Sequence, residues 1–300
     1  MFKIAWSPDY AHPLPEGHRF PMEKYVLLPQ QLKLEGIASD QDFFEPFLAT
    51  EQQVLAVHQL EYYHRLRNLK LTKAEIRASG FPLSKELVDR ELCIAGGTVQ
   101  CVDFALRDGV AGNIAGGTHH AFRDRGEGFC LLNDAAVAAR YALDTGKAQK
   151  ILIVDLDVHQ GNGTAAIFEQ EPNVFTFSMH GAKNYPMHKE KSDLDVALPD
   201  GTGDKVYLAL LEEKLEEIFR LFNPDLIFFQ SGVDVLESDK LGRINLSLEG
   251  CYKRDQLVFT WMRNRNLPVV FNMGGSYSTD LNTIIKAHTN TFRAARDAYF

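Results

Sequence analysis

Four short segments constrain this chain more than anything else in it. Val110 to Ala115, Lys150 to Val154, Asp225 to Phe229 and Pro268 to Asn272 are apolar and rich in β-branched or aromatic residues, and each runs into a cluster of glycine and polar side chains. A short apolar run without polar alternation belongs to a strand covered on both faces. The stretches between them have helical spacing. From Lys205 to Phe222, the residues Leu208, Leu211, Leu215, Ile218, Phe219 and Phe222 fall on one face, opposite Glu212, Glu213, Glu216 and Arg220. A second helix is predicted from Ser84 to Leu106, through Leu87, Leu92 and Val99 and across Gly96-Gly97. A third runs from Thr50 to about Leu66, opened by a Thr50/Gln53 capping box. Strands alternating with helices imply an α/β fold with a mostly parallel sheet covered on both sides. Residues 1–300 are expected to form one domain. The proline-rich segment Ser7 to Pro15 reads as an irregular surface loop.

In such sheets ligands bind outside the carboxyl ends of the strands, where loops converge. The polar clusters lie there: Gly116-Gly117-Thr118-His119-His120, then Asp155-Leu156-Asp157-Val158-His159-Gln160-Gly161-Asn162-Gly163, then Ser231-Gly232-Val233-Asp234, then Gly274-Gly275-Ser276-Tyr277. Asp155, Asp157 and His159 alternate, so an extended backbone would send all three to one side. Carboxylate oxygens with an imidazole nitrogen suit zinc, and Asp234 as a third ligand leaves a coordination position open, as in catalytic sites. A helix is expected to follow from near Thr164. His119 and His120, being consecutive, are expected to diverge and to take different partners, with Asp155 and Asn162 the available ones. Alone, a strand-end Asp is often a helix cap and a lone His a structural residue. The whole set gathered at strand ends is poorly explained that way.

Composition narrows the function classes. Lys and Arg number 32 against 40 Asp and Glu, a net charge of −8, which disfavours direct nucleic-acid binding and mildly favours a cationic substrate. Cys93, Cys101, Cys130 and Cys251 have no paired spacing and sit in apolar segments, as buried reduced thiols do. No apolar run approaches the ~18 residues of a membrane span, and the first residues lack a signal-peptide core, so a cytoplasmic location is expected.

The strand-end motifs, together with Gly126-Glu127-Gly128-Phe129-Cys130-Leu131-Leu132-Asn133-Asp134, resemble the histone deacetylase superfamily in order and spacing along nearly the whole chain. Within it, the segment from Asp124 to Cys130 and Lys253 to Phe259 look most like class IV deacetylases and their bacterial relatives. The resemblance implies the arginase/deacetylase fold, a three-layer α/β/α sandwich. It implies Asp157, His159 and Asp234 as ligands of Zn2+, with Fe2+ as the alternative. His119 and His120 become a general acid/base pair backed by Asp155 and Asn162, and Tyr277 the donor to the substrate carbonyl. Gly128, Phe129, Tyr185 and Gly275 match substrate-contacting positions, Phe129 and Tyr185 flanking the acyl tunnel. Asp155, Ser178 and Met179, with the backbone of Asp157 and His159, match a K+ or Na+ site. Many members carry Asp where this chain has Asn162, which bears on the basicity of His120.

The implied reaction is hydrolysis of an acylated amine, either acyl-lysine or an acylated small amine such as an acetylpolyamine, by metal-activated water. Two rivals remain at this level. A binuclear hydrolase of the arginase type needs further carboxylates, whereas Gln160 follows His159 and the next carboxylate after Asp234 is Glu237. A silent acyl-lysine binding module would not need the full set of ligands, histidines and tyrosine. Oligomeric state is not legible.

Overall fold

The apolar segments become neighbouring parallel strands. A computed structural model describes residues 1–300. Its strands are β1 (Lys3–Ala5), β2 (Phe43–Phe44), β3 (Val110–Asn113), β4 (Ile151–Asp155), β5 (Val174–Gly181), β6 (Leu194–Leu198), β7 (Leu226–Gln230) and β8 (Val269–Asn272). They form one sheet in the order β2-β1-β3-β8-β7-β4-β5-β6, with every pairing parallel. The four segments that stand out in sequence are therefore the contiguous centre, β3-β8-β7-β4, where burial on both faces removes polar alternation. The flanking strands were not singled out. β1 and β2 are too short to show a pattern, and β6 alternates exposed and half-buried residues as an edge strand does.

The helices are α1 (Lys24–Leu34), α2 (Glu51–Leu55), α3 (Leu60–Arg67), α4 (Lys73–Ser79), α5 (Lys85–Asp108), α6 (Asp134–Asp144), α7 (Asn162–Phe168), α8 (Asp204–Leu221), α9 (Leu248–Arg263) and α10 (Leu281–Tyr299). Strand periodicity divides them between two faces. Leu152, Val154, Ile227, Phe229, Val269 and Phe271 join an apolar cluster with residues of α8, α9 and α10. Their neighbours Ile151, Ile153, Leu226, Phe228 and Val270 join a second cluster with α5, α6 and α7. The result is the expected three-layer α/β/α sandwich. No helix is long and apolar enough to cross a membrane, and all four cysteines are buried and free.

Three local expectations need correction. The Thr50 capping box forms, but the run it opens breaks into α2 and α3. Tertiary partners take the backbone at the break: Gln59 N–H donates to Arg123 O at 2.7 Å and His58 Nδ1–H to Phe122 O at 2.9 Å. Ser7 to Pro15 is a surface loop only in part: Pro8, Asp9, Pro13 and Pro15 are exposed, whereas Ser7, Tyr10 and His12 are buried. Pro8–Tyr10 is a 3-10 turn and Tyr10 is fully buried, its carbonyl accepting from Arg90 Nε at 2.7 Å. α7 begins at Asn162, two residues earlier than expected.

α5 does cross Gly96-Gly97 unbroken. The glycines are there for packing. A Cβ on Gly96 would overlap Phe47 O, in a segment laid against the helix by Ala49 N–H to Leu92 O at 2.9 Å. Gly96→Ala is accordingly expected to destabilise the fold by about 1–3 kcal/mol despite better helix propensity, because backbone rather than a flexible side chain must move. Urea denaturation measures this, and a neutral or stabilising result would show that the Phe47 segment yields freely.

Candidate active site

Paired in register, the last residues of the four neighbouring strands β3, β8, β7 and β4 put Asn113 beside Asn272, Asn272 beside Gln230 and Gln230 beside Asp155, and Asp155 in turn lies beside Ser178 within β5. This polar rung is where the apolar sheet ends and the loops begin. Gln230 Nε2 reaches across to Gly117 O at 2.9 Å and Asn272 Nδ2 to Asp134 Oδ2 at 2.8 Å. Asp134 also accepts from Thr118 N–H and Thr118 Oγ1, at 2.9 and 2.6 Å, and so seats the loop that carries His119 and His120.

Strand geometry stops at Asp155, and the expectation that Asp155, Asp157 and His159 share one direction is not met. The chain instead turns on its own carboxylates. Asp157 N–H donates to Asp155 Oδ1 at 3.2 Å and His159 N–H to Asp157 Oδ1 at 3.0 Å. Asp155 is thereby aimed at His119, while Asp157 and His159 converge on Asp234 from the loop after β7. One ligand atom of each lies within 4.8 Å of the others, and all three residues are buried. His159 Nδ1 is 3.0 Å from Asp157 Oδ1 and 3.1 Å from Asp234 Oδ2. The remaining carboxylate oxygens accept backbone donors: Val158 N–H to Asp234 Oδ1 at 2.9 Å and Gly275 N–H to Asp157 Oδ2 at 2.8 Å. Gly275, which lines the cavity, can sit this close only because it has no Cβ, which would strike Asp234 Oδ2.

Two buried carboxylates side by side repel one another. Burial and the charge of Asp157 push Asp234 up to about 7. Burial penalises Asp157 as well, but His119 and His159 outweigh it and hold that group well below the usual carboxylate range. His159, though buried, is drawn up to about 10 by the same two carboxylates. The site thus pulls in positive charge, and its donor set of two carboxylate oxygens and one imidazole nitrogen fits a divalent transition metal.

The two histidines take the separate partners expected of them. His119 Nδ1 lies 2.7 Å from Asp155 Oδ2 and His120 Nδ1 2.6 Å from Asn162 Oδ1. They do not diverge, however. They sit on a turn rather than a strand, and their rings lie 4.1 Å apart at the same cavity. Against the cost of burial, Asp155 and Asp157 raise His119 to about 9. Burial, reinforced by His119 and His159, holds His120 well below its ordinary value. Tyr277 faces them, its ring centroid 6.4 Å from that of His159, and its backbone N–H is held by Asp239 Oδ2 at 2.6 Å. Burial, then the charges of Asp234 and Asp157, keep its hydroxyl protonated.

Phe129 adopts a left-handed backbone, φ +68°, stabilised by its N–H to Ser79 O at 2.7 Å and by the preceding Gly128 N–H to Ala78 O at 3.0 Å. Its ring and that of Tyr185 wall the approach, Tyr185 meeting His120 edge-on at 5.0 Å and donating its hydroxyl to Glu127 Oε2 at 2.7 Å. Ser178 lies beside Asp155 but pairs its Oγ with His180 Nδ1 at 2.9 Å, and Met179 is fully buried on β5.

Sequence reasoning missed residues that act from a distance. Arg254 on α9 is fully buried. It donates to Gly232 O at 2.6 Å, Leu156 O at 3.2 Å and Ser231 O at 3.2 Å, while Asp255 balances its charge at 2.7 Å. It thus ties the two loops that carry Asp157 and Asp234. A signal existed: Cys251, Arg254, Asp255, Val258, Phe259 and Met262 share the buried face of α9, so this charged pair interrupts an apolar stripe. Lys24, buried on α1, donates to Ser276 Oγ at 2.9 Å and Gly274 O at 3.2 Å beneath Tyr277. Arg90 and Tyr25 also line the cavity. Nothing local in the sequence marks Lys24 or Arg90.

The comparisons with known proteins agree with this geometry. Residues 18–292 match the histone deacetylase domain model. An uncharacterized protein from Picosynechococcus sp. is 43% identical over 298 residues, covering 99% of each chain. Histone deacetylase 2 from Arabidopsis thaliana is 31% identical over 272 residues, 87% of this chain and 70% of its own. Among solved structures, a deacetylase homologue from Aquifex aeolicus superposes with a TM-score of 0.85 at 26% identity, over 98% of this chain and 84% of that one. The chain belongs to the histone deacetylase family. Its fold and its buried Asp/His cluster, which could hold a metal ion, support a hydrolase-type activity.

Because Arg254 and Asp255 are buried together, Arg254→Met should cost about 3–5 kcal/mol, leaving a carboxylate without its counter-ion. The double variant Arg254→Met with Asp255→Leu should recover much of that loss. Equal destabilisation in both, measured by urea unfolding, would mean that the contacts to the loop carbonyls and not the charge pairing dominate.

Proposed function

We propose that the chain hydrolyses an acylated amine, releasing a short carboxylate and the free amine. The observation that carries this is convergence: Asp157, His159, Asp234, His119, His120 and Tyr277 all line one cavity. Zn2+, or Fe2+, held by Asp157, His159 and Asp234 would polarise the amide carbonyl and lower the pKa of water toward ~7. The roles of the chain's own groups follow from their partners. His120 donates Nδ1–H to Asn162 and is kept neutral by its surroundings, so Nε2 can accept the proton of an attacking water. An amide at position 162 suits a base that must begin uncharged. His119, backed by the Asp155 carboxylate, holds a proton that the leaving amine requires. The Tyr277 hydroxyl donates to the carbonyl oxygen as negative charge develops there. With one water consumed, the C–N bond breaks and the products are a carboxylate and an ammonium.

The size of the cavity supports a short acyl group. The cavity at the cluster is about 40 Å³, with Tyr25 and Arg90 among its lining residues, room for a few water-sized groups and not for a long alkyl chain. Asp155, Ser178 and Met179, with backbone oxygens of Asp157 and His159, would hold a K+ or Na+ ion beside the reacting centre, a reading supported by the pairing of Asp155 with Ser178. The Asp124–Cys130 and Lys253–Phe259 segments favour the class IV branch of the family.

Tyr277→Phe should lower kcat by about 10²-fold or more while KM changes little, since the hydroxyl acts on charge present only in the transition state. A fluorogenic acetyl-lysine assay with and without chelator reads this out. Unchanged kcat would remove Tyr277 from the mechanism, and chelator-insensitive turnover would remove the metal. Complete inactivity of the metal-loaded chain on every acylated amine would favour a binding module.

A further inference from the structure

The approach to the cluster carries a charge pattern opposite to that of the chain. An outer chamber of about 350 Å³ has His120, His159 and Tyr277 at its inner end and Arg19, Lys183 and Arg243 among its remaining lining residues, with no carboxylate. Acidic residues outnumber basic ones 40 to 32 over the whole protein, so an all-cationic lining is not what average composition would place there. The three cations also come from separate segments, before α1, after β5 and after β7. They are therefore not the solvated face of a single helix.

Nor are these charges cancelled locally. Arg19 is exposed and has no carboxylate partner, its guanidinium lying 5.0 Å from the centre of the Phe129 ring that walls the approach. Lys183 and Arg243 share a single carboxylate oxygen, Asp200 Oδ2, at 3.6 and 3.2 Å, which leaves one positive charge in excess. Both side chains remain largely exposed, at 72% and 56%. Two acids lie behind the wall and are already engaged, Glu127 by the Tyr185 hydroxyl and Arg125 Nε, both at 2.7 Å, and Asp239 by the backbone N–H groups of Leu241 and Tyr277 at 2.8 and 2.6 Å.

We propose that the substrate carries a carboxylate on the amine side of its scissile amide, as an Nε-acyl-lysine with a free α-carboxyl group or with an adjacent acidic residue does. This rests on the amide-hydrolase reading above. With the acyl group in the inner cavity, the amine-bearing part extends through the outer chamber, past Arg19, Lys183 and Arg243. A carboxylate there meets unbalanced positive charge. An acylated polyamine would instead bring ammonium groups into a chamber that offers them no acid, so the polyamine alternative is disfavoured, as is the cationic substrate suggested by net charge alone.

The test separates binding from turnover. Methyl-ketone isosteres of Nα,Nε-diacetyl-lysine, with CH2 in place of the side-chain amide N–H, are prepared as free acid and as carboxamide, together with the corresponding isostere of acetylputrescine. Calorimetry on the metal-loaded protein should give binding in the order acid, carboxamide, amine. The acid should be favoured over the carboxamide by about 3–10-fold, the range for partly exposed charge pairs, and the margin should shrink as salt approaches about 1 M. In Arg19→Glu/Arg243→Glu, both exposed positions, the order of acid and amine should reverse. Acetyl-lysyl peptides with Asp or Ser after the lysine distinguish a neighbouring acidic residue from a free α-carboxyl group as the source of the charge. Equal binding of acid and carboxamide, or preference for the amine, would overturn the inference. Turnover of the cleavable amides reports separately on the hydrolase reading. Hydrolysis with equal kcat/KM for acid and carboxamide would keep that reading and sink this one, while charge-selective binding without any hydrolysis would do the reverse.

Discussion

Two carboxylates, Asp157 and Asp234, are buried against the same imidazole nitrogen, and the rest of the structure is arranged around that unfavourable fact. Removing two like charges from water is costly unless each finds compensation. Here compensation is built from the backbone outward. Val158 and Gly275 donate N–H groups to one oxygen of each pair, His159 stands between the others, and His119 adds a positive charge nearby. What remains unbalanced is the attraction for a divalent cation. The Asp155 carboxylate behind His119, which is not among the three ligands, separately favours a proton on that ring.

Holding such a cluster requires loops that do not relax away from it. Arg254 draws the carbonyls of Leu156, Ser231 and Gly232 toward one buried guanidinium, and Asp134 does the equivalent for Thr118 from the other side of the sheet. These anchors are themselves fixed to helices packed on the sheet, so the accuracy of the site depends on the sandwich below it. The histidine partners differ in kind, a carboxylate behind His119 and an amide behind His120. Adjacent rings of the same residue type are in this way given opposite tendencies toward protonation.

The central strands were legible because burial on both faces leaves a continuous apolar signature, and the ligand residues because they cluster just beyond it. Local geometry at those strand ends was less legible. Alternation suggested that Asp155 would face the same way as Asp157, but a side chain that hydrogen-bonds the backbone two residues on ends the extended conformation, and Asp155 serves His119 instead. The break between α2 and α3 was hidden for a related reason, since the groups that capture Gln59 and His58 lie some sixty residues away. Lys24, Arg90 and the chamber of Arg19, Lys183 and Arg243 depend wholly on which distant segments meet, and no local spacing encodes them.

The most direct test of the account is the metal content of the chain. Elemental analysis of the purified wild type, after exhaustive dialysis, is set against Asp157→Ala with its fold checked by circular dichroism. One equivalent of a divalent transition metal per wild-type chain, and loss of nearly all of it in the folded variant, is the expected result. Two equivalents in the wild type, or undiminished metal in Asp157→Ala, would contradict a mononuclear centre at Asp157, His159 and Asp234.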